Sequence, residues 1–311
     1  QLGSDGPWWL ELSRYLPFPI TLAPALVALL LSLRLGRRWI AASAAAVLLF
    51  ITVAMGFVWH GTGSADGTVR VMTYNTKAAQ LLERTGGIAT LEREIVGHRP
   101  DIVVMQDANG IRHWSGYDPK GPLFGLAHVF AQGEYVVASR WPIRDCAIVQ
   151  TTTGAEPLSY ARCSVDTGGT AFTLLTVHFE SPRTGLNAAR REGFEGVDSW
   201  QRNHEARLAQ AHALAREMAS GPLVLAGDLN APDSSAVVRS LLALGLRDAF
   251  ANAGRGYGYT YGHTLRPAFS FLRIDHILVS AEFDVRDCFV GGDEASDHRP
   301  VIADIALRRA P

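Results

Sequence analysis

Apolar or alternating runs that stop on a single polar residue recur along this chain. Val69-Arg-Val-Met-Thr-Tyr-Asn75 alternates and ends on Asn75. Asp101-Ile-Val-Val-Met105 runs into Gln106 and Asp107, Ala171-Phe-Thr-Leu-Leu-Thr-Val-His178 ends on His178, and Leu223-Val-Leu-Ala-Gly-Asp228 leads to Asn230. Short runs of this kind, bounded by turn residues, predict strands. Further strands are predicted over Tyr135–Ile143, through a hairpin carrying Cys146 and Cys163, at Arg273–Ser280 and at Val301–Leu307. Helical spacing appears between them. Ile88, Leu91, Ile95 and Val96 predict a helix over 88–98, and Leu208, Ala211, Leu214, Ala215 and Met218 predict one over 200–218. A third is expected near 235–244. The stretch Ser181–Trp200 shows no period and reads as a long irregular loop, which in a compact domain is usually functional. Strands interleaved with helices define an α/β domain.

The front of the chain follows a different pattern. Tyr15–Leu33 carries no charge, and neither does Trp39–Trp59. Each approaches the ~20 residues that a helix needs to span a bilayer. Residues 1–60 are therefore expected to form a membrane anchor with transmembrane helices at 15–33 and 39–59. Residues 61–68 would be a Gly/Ser-rich linker, and 69–311 the main domain. Arg34, Arg37 and Arg38 lie between the two spans. The positive-inside bias would put them in the cytoplasm, and the main domain on the extracytoplasmic side of the plasma membrane.

Charge narrows the choice of partner. After the anchor there are 25 basic and 28 acidic residues, whereas a duplex-binding surface is usually basic. Nucleic acid is therefore a less favoured partner than a phosphorylated lipid or another phosphoester. The three cysteines match no metal-binding spacing. Cys146 and Cys163 could pair across the hairpin or remain two separate small buried residues, and both readings stay open.

The strand-end residues suggest a chemistry. Asp228 and Asn230, two apart on an extended backbone, would point the same way. A carboxylate there can orient or deprotonate water, while an amide can stabilise charge on a phosphoryl oxygen. Gly227 is expected to turn the chain at that point. Arg183, Arg190 and Arg191 in the long loop could grip phosphate, as could Arg162 on the hairpin's return strand.

Taken in order, Asn75, Gln106-Asp107, His178, Gly227-Asp228-Leu-Asn230, Asp275 and Ser296-Asp297-His298 resemble the endonuclease/exonuclease/phosphatase superfamily over residues 69–307. The resemblance implies a DNase I-like four-layer α/β sandwich of two mixed, mostly antiparallel sheets flanked by helices. It implies a phosphoester hydrolase using Mg²⁺ or Mn²⁺. His178, Asp228, Asn230, Asp275 and His298 would be catalytic, with Asp228 activating water and Asp275 orienting His298. Asn75, Asp107 and Asp297 would lie at the metal; Asp107 stands where the family usually has Glu. With the two spans, the chain looks like the membrane-anchored, VanJ-type branch, which implies a lipid or isoprenoid pyrophosphate as substrate. The alternatives are a membrane-tethered nuclease and a catalytically silent binding module.

Overall fold

A computed structural model describes residues 7–308 apart from 18–20, 61–62, 64–66, 152–156, 170, 219–220 and 266–268. The strands in chain order are β1 (Val58–Trp59), β2 (Val69–Asn75), β3 (Ile102–Gln106), β4 (His128–Gln132), β5 (Tyr135–Ser139), β6 (Ile143–Thr151) and β7 (Leu158–Asp166). They continue as β8 (Ala171–His178), β9 (Leu223–Asp228), β10 (Arg247–Asp248), β11 (Arg255–Gly256), β12 (Asp275–Val279), β13 (Phe283–Val290) and β14 (Val301–Leu307).

Two six-stranded sheets result, in the orders β10-β12-β9-β8-β7-β6 and β13-β14-β2-β3-β5-β4. The pairs β2/β3 and β8/β9 are parallel and the rest antiparallel. The strands' period-two alternation explains why the sheets stack face to face. Val71, Val104, Leu174, Val224, Ala226, Ile277 and Ala303 point inward and form one buried cluster between them. The residues of opposite parity face outward. Met72, Val103 and Met105 pack beneath Leu91 and Ile95 of helix Gly87–His98. Leu175, Val177 and Leu225 pack beneath Leu208, Ala211 and Leu214 of helix Phe194–Glu217. The expected four-layer α/β sandwich is what forms.

Cys146 and Cys163 are joined in a disulfide between β6 and β7, while Cys288 is free and buried. The segment 181–200 is not an irregular loop. It holds helix Arg183–Glu192 and the first turns of helix Phe194–Glu217, separated by Gly193 at φ +61°. Its glycines are points of close helix contact. A Cβ at Gly196 would lie 2.1 Å from the Ala188 carbonyl oxygen, and one at Gly185 3.0 Å from the Trp200 Cα.

The largest correction concerns the N-terminal segment. Among the described residues no helix is long and apolar enough to cross a membrane. Helices Ala23–Ser32 and Arg37–Leu49 have 10 and 13 residues. At 1.5 Å per residue they reach roughly 15 and 20 Å; the second runs on into a five-residue π-helical stretch, Phe50–Ala54, and still falls short of a hydrocarbon core of about 30 Å. The two expected transmembrane spans are therefore not formed, and the bilayer partner and plasma-membrane location expected from them are not upheld. The segment instead docks on the main domain at both ends. Glu11 is fully buried, accepting a hydrogen bond from the Ala236 amide and pairing with Arg239. Tyr15, the first residue of the expected first span, is buried in a cluster with Trp200, Phe271, Leu272 and Ile274. At the other end β1 pairs with β11, and Tyr259 Oη donates to the Met55 carbonyl. Most of the expected linker 61–68 lies outside the described residues.

Candidate active site

The sheet ladders assemble the site. His178 is opposite Asp228 in the β8/β9 register, and Asp228 is opposite Asp275 in the β9/β12 register. On the facing sheet Asn75 is opposite Gln106. Each of these five residues continues the inward-facing parity of its strand (Asn75 follows Val71 and Thr73; Asp228 follows Val224 and Ala226). The face that carries the core therefore carries the polar residues at its end. Between core and site lies a polar layer: Gln106 Nε2 donates to Thr73 Oγ1 at 3.1 Å and to Thr176 Oγ1 at 2.8 Å, linking the sheets.

Asp228 is at the centre, 1% exposed. Its Oδ2 accepts from Asn75 Nδ2 at 2.9 Å and lies 3.6 Å from His178 Nε2 and 3.8 Å from His298 Nε2. Its Oδ1 accepts from the Asn230 amide at 2.8 Å. Both imidazoles are held from behind. His298 Nδ1 is 2.9 Å from Asp275 Oδ2, and His178 Nδ1 is 2.7 Å from Glu134 Oε2. A carboxylate on Nδ1 fixes the ring so that Nε2 faces inward. Ser296 Oγ donates to the Asn75 carbonyl and accepts from the His298 amide, tying the loop before β14 to β2.

Burial pushes the Asp228 carboxyl above the usual range, and the neighbouring Asp275 adds to the rise. Burial alone would depress His298, but Asp275 and Asp228 outweigh it and raise it. His178 is likewise raised, with burial opposed by the Glu134 hydrogen bond and the field of Asp228. The site thus favours a proton on each imidazole and keeps it beside a shared carboxylate.

Other sequence-predicted residues lie around this centre in different ways. Asn230 is not extended: its φ is +47°, and its side chain donates to the Phe179 carbonyl at 2.9 Å. Only its backbone amide meets Asp228. Gly227 lies within β9 rather than at a turn, and its lack of a Cβ lets Val177 O approach to 2.1 Å of where that Cβ would be. Asp107, just past β3 at φ +50°, sits 2.7 Å from Lys77 Nζ. Among the described residues, Asp228, Asp275 and His298 are the acids and histidines with ligand atoms within 4.8 Å of one another. Asp107 and Asp297 do not belong to that group. Arg183 is exposed at the rim, where Nη2 donates to Tyr261 Oη at 3.0 Å. The Tyr261 ring is in turn 4.9 Å from that of His298. Arg190 and Arg191 are exposed on the last turn of helix Arg183–Glu192. Arg162 is exposed on β7 opposite Leu175, three residues before the strand end at His178.

Sequence reasoning missed Glu134 and Tyr261 as neighbours of the site. Glu134 sits in the β4–β5 turn, 44 residues from its histidine, and nothing local marks the pairing.

A buried carboxylate between two carboxylate-backed histidines, on a two-sheet α/β sandwich, suits the hydrolysis of phosphoester bonds. The endonuclease/exonuclease/phosphatase family profile matches residues 72–298, and the chain belongs to that family. Solved structures agree on the fold. An endonuclease/exonuclease/phosphatase from Beutenbergia cavernae DSM 12333 is 20% identical, covering 77% of this chain and 72% of its own, with a TM-score of 0.55. The human Nocturnin catalytic domain with bound sulfate is 17% identical over 78% and 94%, at 0.54. A mannosyl-6-phosphatase from Bacteroides thetaiotaomicron VPI-5482 is 18% identical over 77% and 100%, at 0.52. No curated protein sequence matches the chain.

Proposed function

We propose that this chain is a divalent-metal-dependent hydrolase that attacks the phosphorus of a non-polymeric phosphoester with water. The observation that carries the reading is the Asp228 carboxylate, whose Oδ2 faces two imidazole Nε2 atoms and the Asn75 amide within 2.9–3.8 Å. In this reading Asp228 orients the attacking water and takes its proton. Its raised pKa brings it closer to the pH at which a general base works best. His178 and His298, protonated and held by Glu134 and Asp275, donate from Nε2 to the phosphoryl oxygens as negative charge grows there. Asn75 fixes Asp228 from the opposite sheet. Arg183 and Tyr261 stand at the rim, where a substrate's leaving group would pass.

The donor set suits a hard cation. Among the described residues Asn75 Oδ1 is a buried acceptor with no partner, and Asp228 and Asp275 bring carboxylate oxygens close together, while His298 Nε2 serves as a donor to the phosphoryl oxygen and is not counted as a ligand. A few oxygens plus water and substrate phosphate are what Mg²⁺ or Mn²⁺ takes. Such an ion, when bound, supplies charge neutralisation at the phosphoryl group. The Lys77–Asp107 pair would have to open before Asp107 could join it.

The substrate follows from charge and shape. With 25 basic and 28 acidic residues after position 63, the domain lacks the charge excess that counterion release on a nucleic acid calls for. The lipid-carrier reading drew its weight from membrane tethering and has lost that support. The test uses Mg²⁺ or Mn²⁺ and follows phosphate release from sugar phosphates and an isoprenoid pyrophosphate in detergent, and phenol release from an aryl phosphodiester, with plasmid nicking alongside and Asp228→Ala as control. Turnover of a small phosphoester, lost in the variant, is the expected result. Nicking alone would replace it with a nuclease. Inactivity on every substrate with both ions would favour a silent binding module.

A further inference from the structure

The carbonyl oxygen of Asn230 has an unusual pair of partners. Tyr15 Oη donates to it at 2.8 Å and Arg207 Nη1 at 2.6 Å. Arg207 also donates to the Tyr15 oxygen, closing a triangle. The triangle is dry: Arg207 is 0% and Tyr15 7% exposed. The guanidinium lies over the Tyr15 ring at 5.3 Å and the Trp200 ring at 5.4 Å, and Tyr15 meets Trp200 edge-on at 5.1 Å. Burial raises the Tyr15 phenol above its ordinary value, so it stays protonated and able to donate.

What this triangle holds matters for chemistry. Asn230 sits at φ +47°, in the left-handed region that, apart from Gly, mainly Asn and Asp enter. Three further constraints keep it there: its amide bonds to Asp228 Oδ1, its side chain bonds to Phe179 O, and the next residue, Ala231, is fully buried. The Asn230 amide is the partner that occupies Asp228 Oδ1 and leaves Oδ2 to face the two histidines. The held carbonyl and the donating amide flank the Asn230 Cα in consecutive peptide planes, so a change of φ or ψ at Asn230 moves the amide and turns the Asp228 carboxylate.

We infer that Tyr15, carried by the N-terminal segment and lying outside the residues matched to the family, is a positioning residue for Asp228, acting with Arg207 through the backbone of Asn230. The inference rests on the phosphoesterase reading above. It makes Tyr15, on a segment clamped at Glu11, part of the support of the loop that carries Asp228 and Asn230.

Tyr15→Phe tests it, because it deletes one hydroxyl and keeps the ring between Arg207 and Trp200. Since Arg207 still reaches the carbonyl, the expected loss in kcat is about tenfold, with KM within about twofold, as a slightly misplaced catalytic group produces. Trp8→Ala is the control. It loosens the same segment without touching Asn230, and should lower the melting temperature while kcat, measured well below that temperature, is retained. Tyr15→Phe at wild-type kcat would overturn the inference while leaving the phosphoesterase reading intact. So would two variants whose kcat falls in proportion to their melting temperature, because that would make Tyr15 merely structural. A full-length wild type as inactive as Asp228→Ala on every substrate would remove the phosphoesterase reading, and the inference with it.

Discussion

Asp275→Asn is the substitution for which the structure gives the clearest arithmetic. Asp275 is 1% exposed and holds His298 Nδ1 through both oxygens, at 2.9 and 3.2 Å. An amide of the same shape keeps the packing but loses the charge, and so no longer favours the His298 imidazolium that donates from Nε2. A charge-assisted hydrogen bond contributes about 1.5–3 kcal/mol. If that interaction supports the His298 proton in the transition state, kcat should fall roughly 10- to 150-fold at little-changed KM. The same change removes a buried negative charge from beside Asp228. As Asp275 is the second cause, after burial, of the raised Asp228 pKa, the acidic limb of the kcat profile should move to lower pH. Losing one of two mutually repelling buried carboxylates offsets the lost hydrogen bond, so stability should change by no more than about 1 kcal/mol. Steady-state phosphate release across pH, with thermal melts on the same samples, reads all three quantities. A variant within threefold of wild-type kcat, or one whose acidic limb moves upward, would refute the account of the His298–Asp275 pair.

Other expectations follow from single contacts. Glu134→Gln should lower kcat about tenfold, because it removes the carboxylate that keeps His178 protonated against burial; an unchanged pH–rate profile would count against that role. Asp248→Asn should cost about 3 kcal/mol or more in denaturant unfolding, since it leaves Arg273, 2.6 Å away and buried, with only Asp233 as a charged partner. Burial would raise Asp248, but Arg273 wins and depresses it. Its contribution is therefore present above the unfolded carboxylate range and is lost as pH falls below about 4; acid unfolding of the variant should start from lower stability and depend less on pH in that window. Gly227→Ala places a methyl 2.1 Å from the Val177 carbonyl oxygen and should destabilise by more than about 3 kcal/mol, visible as a large drop in denaturation midpoint.

Much of the architecture and the centre of the site was legible because one rule governs both. Alternation assigns each strand's faces, and the polar residue that ends an inward-facing row must lie at the rim of the inter-sheet core. Asn75, His178 and Asp228 were visible for that reason. Glu134 and Tyr15 were not. Each is brought to the site by a turn or a docked segment whose destination depends on tertiary packing far from its own neighbours. Glycines misled in two places. Gly185 and Gly196 were read as loop residues but serve helix contact, and Gly227 was read as a turn but serves strand approach. The N-terminal runs misled because lack of charge measures apolarity and not helix length. The chain ends the first run's helix after 10 residues and turns the second's from α to π geometry after 13. Exposed Leu30, Leu31, Leu48 and Leu49 on them are apolar surface with no partner shown.

The hydrogen bond from Asn75 to Asp228 has a consequence for how this protein can be watched as it folds. It joins residues 153 apart in the chain and on opposite sheets, while His178, Asp228 and Asp275 meet only if β8, β9 and β12 settle in one register. A slip of a single position would turn Asp228 out of the sandwich. Turnover during refolding should therefore stay silent through collapse and helix formation and return only when both sheets have docked. Measured beside far-ultraviolet dichroism, it would time the last long-range step of folding and not the first.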